Sequence, residues 1–231
     1  VISIFGGGWI SGFKTDKFVP PMIQPINEGF IVAVPDYTLS LDAPFPQSVI
    51  DIKKCIAFLR SHSDLYKIDT NNITLWGESA GAHLALEAGL VENSHFDLAL
   101  DTRVKNIIAM YAPSNPLTIN TQAEKLGILD TARSDKDTVF GIYMGKNYDD
   151  ERQMNLASPI KQINDHMPNI ILEHGTKDAL VPYLQSVEFF NKAKEKYPDS
   201  HVTLSIYDGL QHTDPFFFTK EHVHYLMNML K

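Results

Sequence analysis

Apolar and polar positions along this chain follow two periods, which predict short strands separated by helices. Runs of four to six residues rich in Val, Ile and Thr, bounded by turn residues, predict the strands. Apolar residues spaced three and four apart predict the helices, as where Val49, Ile52, Ile56 and Leu59 share one face. The predicted strands are 1–5, 30–34, 73–76, 105–110, 169–174 and 202–207, and the predicted helices are 16–28, 46–61, 79–91, 183–197 and 216–230. This alternation predicts an α/β fold, with a mostly parallel sheet flanked by helices on right-handed crossovers.

One long segment, from 112 to 168, breaks the alternation because it exceeds what a plain crossover needs. Helical patterns recur within it at 121–129, 135–144 and 149–155. It is either a long decorated crossover or a small helical cap, and its position favours a cap insertion at about 114–160 within a single domain, 1–231. The apolar residues that would line this cap or fill its own core are Ile128, Leu129, Phe140 and Tyr143.

The composition narrows the class of protein. Of 231 residues, 44% are hydrophobic and 21% are charged, as in an ordinary globular domain. The formal net charge is −8, without a cluster of lysine or arginine, which argues against nucleic acid or an anionic membrane as a partner. The single cysteine, Cys55, leaves no intramolecular disulfide and no cysteine-based zinc site. Its place on an apolar helix face predicts a buried, unreactive thiol.

Gly77-Glu78-Ser79-Ala80-Gly81 is the most informative motif of the chain. It ends a predicted strand and opens a predicted helix. A serine between two glycines at such a turn is the G-x-S-x-G nucleophile elbow, where a sharp bend exposes the serine oxygen beside a helix N-terminus. The alternative is a small-residue turn that only opens a buried helix. The strand and helix on either side favour the elbow.

Three glycines, Gly6 to Gly8, follow the first strand and precede Trp9. They form either an ordinary flexible loop or a loop whose backbone N–H groups bind an oxyanion, for which glycine allows close approach. We expect Gly7 and Gly8 to donate to the oxyanion, together with the N–H of Ala80, the residue after the serine. Trp9 is either a wall of the substrate pocket or a packing residue.

A serine nucleophile needs a base and an acid that orients the base, and with this elbow the chain order is serine, acid, histidine. Asp178 follows the strand at 169–174, and His212 follows the strand at 202–207. Both lie at the carboxyl ends of strands, where parallel sheets bind ligands. Taken singly, each is an ordinary loop residue. Order and position together predict the triad Ser79, Asp178 and His212.

The other histidines suit the role of base less well. His83 lies one turn along the elbow helix and is expected to be structural, whereas His174 is a weak rival base at a strand end. His222 and His224 are two positions apart on a predicted helix, so they face different ways and make a poor metal pair. We expect no metal and no organic cofactor.

Taken together, these motifs resemble those of the α/β-hydrolase superfamily and its lipase/esterase branch, which carries His-Gly-Gly-Gly-Trp. The chain is most similar to small carboxylesterases that include feruloyl- and acetylxylan-esterase-like members. The matching segments follow the family order and are 5–9, 35–40, 77–84, 157–160, 174–178, 181–182 and 212. The resemblance implies Ser79 as nucleophile, His212 as general base and acid, and Asp178 as the residue that orients His212.

The chain departs from that family in four places. Phe5 stands where the family has histidine before the glycines, and Ala82 stands where it has a further glycine. Residues 112–115 read Ala-Pro-Ser-Asn, where the family tends to have Gly-Pro and a polar-Asp pair. Residue 1 already lies in a predicted strand, which leaves no room for the antiparallel strands that normally come first in the superfamily. Either the chain is a fragment or those strands are missing.

We therefore predict a serine carboxylesterase that hydrolyses short-chain or small aromatic acyl esters through an acyl-enzyme. Three alternatives remain open: an aryl-formamidase-like amidase, a peptidase with the same triad, and a non-catalytic ligand-binding member of the fold. The expected partner is a small-molecule ester, a homodimer is left open, and neither nucleic acid nor a membrane is expected. With no signal peptide or transmembrane segment visible, the location is interpreted as cytoplasmic.

Overall fold

The computed structural model describes residues 1–16, 19–128 and 134–231. Within them, five parallel strands form one sheet in chain order. The strands are β1 (Ile2–Ile4), β2 (Thr74–Glu78), β3 (Asn106–Met110), β4 (Asn169–Gly175) and β5 (Val202–Tyr207). The register pairs Ile4 with Gly77 and Glu78 with Met110, so the carboxyl ends of the strands meet at one edge. The predicted α/β fold with a parallel sheet is confirmed.

Helices cover both faces of this sheet, as the continuous apolar strands require. The α-helices are α1 (Gln47–Ser61), α2 (Ser63–Tyr66), α3 (Ala80–Leu90), α4 (Ile119–Leu126), α5 (Val139–Met144), α6 (Glu151–Leu156), α7 (Leu184–Lys196) and α8 (Lys220–Met229). Successive strand residues enter different cores, because side chains alternate across a sheet. Leu75 joins the core formed with α1, α3 and α7, whereas Trp76 joins the core formed with α8. Burial of these two faces holds the strand ends, and the loops after them, in fixed positions.

Two predicted elements are wrong. The strand predicted at 30–34 is a single bridge between Ala33 and Ile2, because Pro35 follows at once and has no N–H for a ladder. The helix predicted at 16–28 is instead a 3₁₀-helix at Pro20–Glu28, with prolines at its first turn and at Pro25. Proline is tolerated in the first turn of an α-helix, but Pro25 removes an N–H that an α-helix needs in its interior. Lys17 and Phe18 lie outside the described residues.

The long segment between β3 and β4 carries α4, α5 and α6, with 3₁₀-helices at Gly145–Asn147 and Pro159–Gln162. These helices fall near the three predicted there. Phe140 and Tyr143 of α5 are buried, whereas Ile128 is only half-buried. Leu129, the fourth residue predicted to line or fill this insertion, lies outside the described residues.

The expectation of a buried, unreactive thiol at Cys55 can be compared with this fold. Cys55 is half-buried rather than fully buried. Burial raises the pKa of its thiol to about 11, which leaves little reactive thiolate near neutral pH.

Of the helices in the described residues, none has the length and apolar character needed to cross a membrane.

Candidate active site

The elbow serine lies between β2 and α3 in a strained backbone conformation. Ser79 has φ 53° and ψ −122°, values that side-chain-bearing residues rarely adopt. A Cβ atom at Gly77 would overlap the carbonyl oxygen of Gly81, and one at Gly81 would overlap the carbonyl oxygen of Ile4. These neighbours are backbone atoms, which cannot move away by a change of rotamer as a side chain can. The two glycines of the motif are therefore required by the close packing of β1, β2 and α3.

This packing predicts a large difference between two glycines of the same helix. Gly81→Ala is expected to lower the free energy of unfolding by about 3 kcal/mol, because the new methyl group overlaps β1 backbone. Gly89→Ala, the matched control, meets mainly the flexible end of the Ile107 side chain and is expected to stay within about 1 kcal/mol. Urea unfolding of both variants measures the difference, and equal effects would contradict the role given to packing at Gly81.

The structure brings the three residues predicted as a triad into one hydrogen-bonded row. His212 Nε2 lies 3.0 Å from Ser79 Oγ, and His212 Nδ1 lies 2.7 Å from Asp178 Oδ2. Asp178 follows β4 and His212 follows β5, so the register of adjacent parallel strands places the two loops side by side. Because an ionised carboxylate can only accept, Nδ1 carries the proton of a neutral His212 imidazole. Nε2 is then free to accept a proton from Ser79.

Asp178 is held by four donors. Its Oδ1 accepts from the N–H groups of Leu180 at 2.9 Å and Val181 at 2.8 Å, while its Oδ2 faces His212 and, at 3.2 Å, His174 Nε2. Burial alone would raise the pKa of this carboxyl, but the hydrogen bonds from His174 and His212 hold it below its usual range. Asp178 is therefore ionised at neutral pH, with both oxygens fixed in direction.

Gly7, Gly8 and Ala80 lie with Ser79 and His212 along the wall of one cavity. Gly7 has φ 106° and Gly8 has φ 60°, a left-handed path that glycine adopts without strain. Within the described ranges, the N–H groups of these three predicted donors bind no protein acceptor. Three unpaired N–H groups beside a serine hydroxyl can stabilise a developing negative charge.

The loop at 5–9, here called the glycine loop, is fastened by two residues not singled out from the sequence for this role. Gly6 N–H donates to Glu78 Oε1 at 2.6 Å, and Tyr37 Oη–H donates to the carbonyls of Phe5 at 3.0 Å and Gly6 at 3.2 Å. Phe5 stacks on the Tyr37 ring with centroids 4.5 Å apart. Both residues lie in matched segments, but only the fold shows that they meet the loop.

Removal of the Tyr37 hydroxyl should loosen the glycine loop without disturbing its ring packing. Tyr37→Phe is expected to lower kcat/KM for a p-nitrophenyl ester about 10-fold, because two loop carbonyls lose their fixed donor. Tyr148→Phe is the matched control, since Tyr148 Oη donates to a carbonyl, that of Ser134, at 2.8 Å outside the glycine loop. Equal kcat/KM values for the two variants would argue against this role of Tyr37.

Trp9 is both a cavity wall and a packing residue. It lines the cavity, yet its side chain is almost entirely buried and stacks on Tyr143 with centroids 4.8 Å apart. Its Nε1–H donates to His83 Nδ1 at 3.3 Å, and His83 Nε2 lies 3.1 Å from the carbonyl oxygen of Ala157. Burial lowers the pKa of His83 to about 4. A neutral His83 therefore connects the glycine loop to α3 and to the insertion.

The cavity has a volume of about 1020 Å³ and a mostly apolar lining. The insertion contributes Thr138 and Val139, while Phe140 and Tyr143 pack behind Trp9 instead. Further walls come from the glycine loop and the segment that follows it, the elbow, the loops after β3, β4 and β5, Pro21 of the first 3₁₀-helix, and the segment before α8. Thr138 and Val139 carry no sequence signal for this position, which the fold alone decides.

The remaining histidines lie away from the serine. His174 faces Asp178, His222 Nε2 lies 2.8 Å from Glu173 Oε2, and His224 is exposed beside Glu28. In the part of the chain that the structure describes, no three His, Cys, Asp or Glu side chains are grouped to hold a metal ion.

Comparisons with known proteins bear on the family and the fold of this chain. The family model BD-FAE matches residues 1–193. Esterase LipQ of Mycobacterium tuberculosis (strain ATCC 25618 / H37Rv) is 29% identical, over 82% of this chain and 44% of its own length. Probable isoprenylcysteine alpha-carbonyl methylesterase ICMEL1 of Oryza sativa subsp. japonica is 27% identical, over 94% of this chain and 51% of its own length. The chain thus spans about half the length of the curated relatives it matches.

A solved structure gives the same fold. A truncated form of a carbohydrate esterase from gut microbiota superposes with a TM-score of 0.84 at 22% identity, over 99% of this chain and 83% of that one. At that identity the superposition supports the fold alone. The family model covers most of the chain, including β1 to β4, the elbow and Asp178. The chain therefore belongs to the BD-FAE family, an esterase family of the α/β-hydrolase fold.

Proposed function

We propose that this protein hydrolyses carboxylic esters, with Ser79 as nucleophile, His212 as general base and acid, and Asp178 as the residue that orients His212. The observation that carries the proposal is the row from Ser79 Oγ to His212 Nε2 at 3.0 Å and from His212 Nδ1 to Asp178 Oδ2 at 2.7 Å. Both spacings are within hydrogen-bond reach, which a base and its orienting acid need.

In the proposed reaction, Ser79 Oγ attacks the ester carbonyl carbon while His212 Nε2 takes the serine proton. The N–H groups of Gly7, Gly8 and Ala80 donate to the oxyanion that forms. His212 then gives the proton to the leaving alcohol, which breaks the ester bond and leaves an acyl group on Ser79. Water attacks that acyl group, again with His212 as base, and releases the carboxylic acid.

We propose short-chain or small aromatic acyl esters as substrates. The cavity of about 1020 Å³ has an apolar wall and is large enough for a small organic ester. The names of the relatives, among them esterases, a methylesterase and a carbohydrate esterase, support ester hydrolysis without naming a common substrate. We further propose that the insertion at about 114–160 acts as a cap, which Thr138 and Val139 support because they line the cavity.

Of the three alternatives, two use the same residues and the third does not. An amidase of the aryl-formamidase type and a peptidase would need the same row, since both attack a carbonyl with a serine. A ligand-binding protein on this fold would not need a proton acceptor beside the serine. The hydrogen bond between His212 and Ser79 therefore favours catalysis over binding alone.

The test is hydrolysis of p-nitrophenyl acetate, butyrate and octanoate, together with labelling by a fluorophosphonate probe. We expect hydrolysis that is fastest with a short acyl chain, and a probe adduct that mass spectrometry locates on Ser79. An amide or peptide substrate that is cleaved faster than every ester would replace esterase by the corresponding alternative. A folded protein that takes no probe and cleaves none of these substrates would overturn the proposal.

A further inference from the structure

A second histidine shares the carboxylate oxygen that faces His212. His174 Nε2 lies 3.2 Å from Asp178 Oδ2, and His212 Nδ1 lies 2.7 Å from the same oxygen. The side chains of His174 and Asp178 are fully buried, so no solvent competes for this contact. The reaction proposed above uses only one imidazole on this acid, which leaves the second without a role there.

The ring of His174 is fixed in direction by its other partners. Its Nε2 lies 2.9 Å from the carbonyl oxygen of Val181, which can only accept, so Nε2 carries a hydrogen. That hydrogen is shared between Val181 O and Asp178 Oδ2. On the other side of the ring, Nδ1 lies 2.8 Å from the hydroxyl of Ser186 on α7. His174 thus joins the end of β4, the loop that carries Asp178, and the first turn of α7.

We propose that His174 is a positioning residue, which holds Asp178 and thereby limits how strongly that carboxylate attracts the His212 proton. This inference rests on the proposed function. An oxygen that accepts from two imidazoles has less acceptor strength left for each of them. The second donor also helps to fix the carboxylate in direction. The N–H groups of Leu180 and Val181 hold Oδ1, and the N–H of His174 holds Oδ2 on the other side.

The spacing in the sequence explains how one strand end supplies both groups. His174 is the sixth residue of β4, and Asp178 comes four residues later on a loop that folds back over it. The same loop brings Val181 O to the ring. A histidine, glycine and aspartate at this spacing after a buried strand therefore predict a carboxylate that is braced from within its own loop.

The test compares His174→Phe, which keeps an aromatic ring but has no donor, with His174→Gln, which keeps an N–H near the place of Nε2. With p-nitrophenyl butyrate, we expect His174→Phe to lower kcat about 10-fold or more with little change in KM, as loss of an outer hydrogen-bond partner commonly does. The acidic limb of kcat/KM, measured from about pH 5 to about pH 9, should move to higher pH. His174→Gln should recover most of both changes.

Other titratable groups near the pair are unchanged in these variants. Within the described residues they include Glu78 at the end of β2, Tyr111 after β3 and Glu173 in β4. Lys177, Asp208 and Asp214 lie close by in the sequence. Tyr111 packs its ring against that of His212, with centroids 4.7 Å apart. A shift of the acidic limb in His174→Phe that His174→Gln reverses is thus attributable to the donor on Asp178.

Two further measurements separate positioning from a loss of packing. In an Asp178→Asn background, His174→Phe should change kcat by no more than about twofold, because the carboxylate through which His174 acts on His212 is already absent. By proton NMR, the His212 Nδ1 proton should move downfield in His174→Phe, as its hydrogen bond to Asp178 strengthens. If His174→Phe does not fold, Ser186→Ala takes its place, since it releases the ring on the other side and should move the same resonance in the same direction.

The inference is overturned if the pH profile and the His212 proton resonance stay as in the wild type, or if His174→Phe is as damaging in the Asp178→Asn background as alone. That outcome differs from a failure of the proposed function, which would appear as ester hydrolysis that survives in Ser79→Ala. The NMR readout does not depend on any substrate, so it tests His174 even where no ester is cleaved.

Discussion

Replacement of Ser79 with alanine is expected to lower kcat for p-nitrophenyl ester hydrolysis by at least about 10⁴-fold, while KM stays nearly unchanged. Among the described residues, the side chain of Ser79 hydrogen-bonds with His212 alone, so alanine removes the attacking oxygen and little else. The strained backbone at this position is the same for alanine as for serine. Near-normal folding with lost activity is therefore the expected combination.

The matched control for this variant is Ser61→Ala at the end of α1, where the hydroxyl bonds to the carbonyl of Phe58 and lies 3.0 Å from His62 Nδ1, residues that do not line the cavity. We expect its kcat and KM to equal those of the wild type. Thermal unfolding of both variants shows whether either change disturbs the fold. A Ser79→Ala protein that is as active as the wild type would remove Ser79 from the mechanism.

The second large effect is expected for Asp178→Asn, with a loss of about 10⁴-fold in kcat. The expected loss is taken from serine proteases, in which replacement of the triad aspartate with asparagine lowers kcat by about 10⁴-fold. Asparagine can still accept from the N–H groups of Leu180 and Val181, which leaves its amide nitrogen facing His212 Nδ1. Two donors cannot face each other, so His212 must shift its proton to Nε2. The imidazole then points an N–H at Ser79 and cannot take the serine proton.

Asp208→Asn is the matched control for this replacement. Asp208 lies between β5 and His212 and accepts from the hydroxyl of Thr176 at 2.9 Å, outside the row of three residues. We expect its kcat to remain within about threefold of the wild-type value. Equal losses in Asp178→Asn and Asp208→Asn would show that the effect comes from disturbance of the neighbouring loops.

The glycine loop lacks the histidine of the family motif, and other residues hold it in place. With Phe5 in place of histidine, the loop has no imidazole at that position, and the phenyl ring can contribute packing but no hydrogen bond. In the fold, Glu78 and Tyr37 supply hydrogen bonds to Gly6 and to the loop carbonyls, and Phe5 stacks on Tyr37. Burial raises the pKa of Glu78, while the N–H of Gly6 acts against that rise. The loop is therefore fastened from β2 and from the segment after Ala33.

Much of the fold followed from the periodicity of the sequence. The strands β2 to β5 and the helices α1, α3 and α7 lie within one or two residues of their predicted bounds. These elements are long, strongly apolar on one side or throughout, and free of interior proline. Prediction failed where a local feature outweighed the hydrophobic pattern, as with Pro25 in the 3₁₀-helix and Pro35 after the bridge at Ala33.

The sequence by itself determined the elbow at Ser79, the loop positions of Asp178 and His212, and the chain order of serine, acid and histidine, because these depend on spacing and on which residues can be buried. Only the tertiary structure decided that His174 shares the Asp178 carboxylate, that Tyr37 fastens the glycine loop, and that Thr138 lines the cavity. Those contacts join residues on different elements or across a turn. Their geometry depends on how helices, loops and strands pack against one another, and the hydrophobic periodicity of the sequence does not predict that packing.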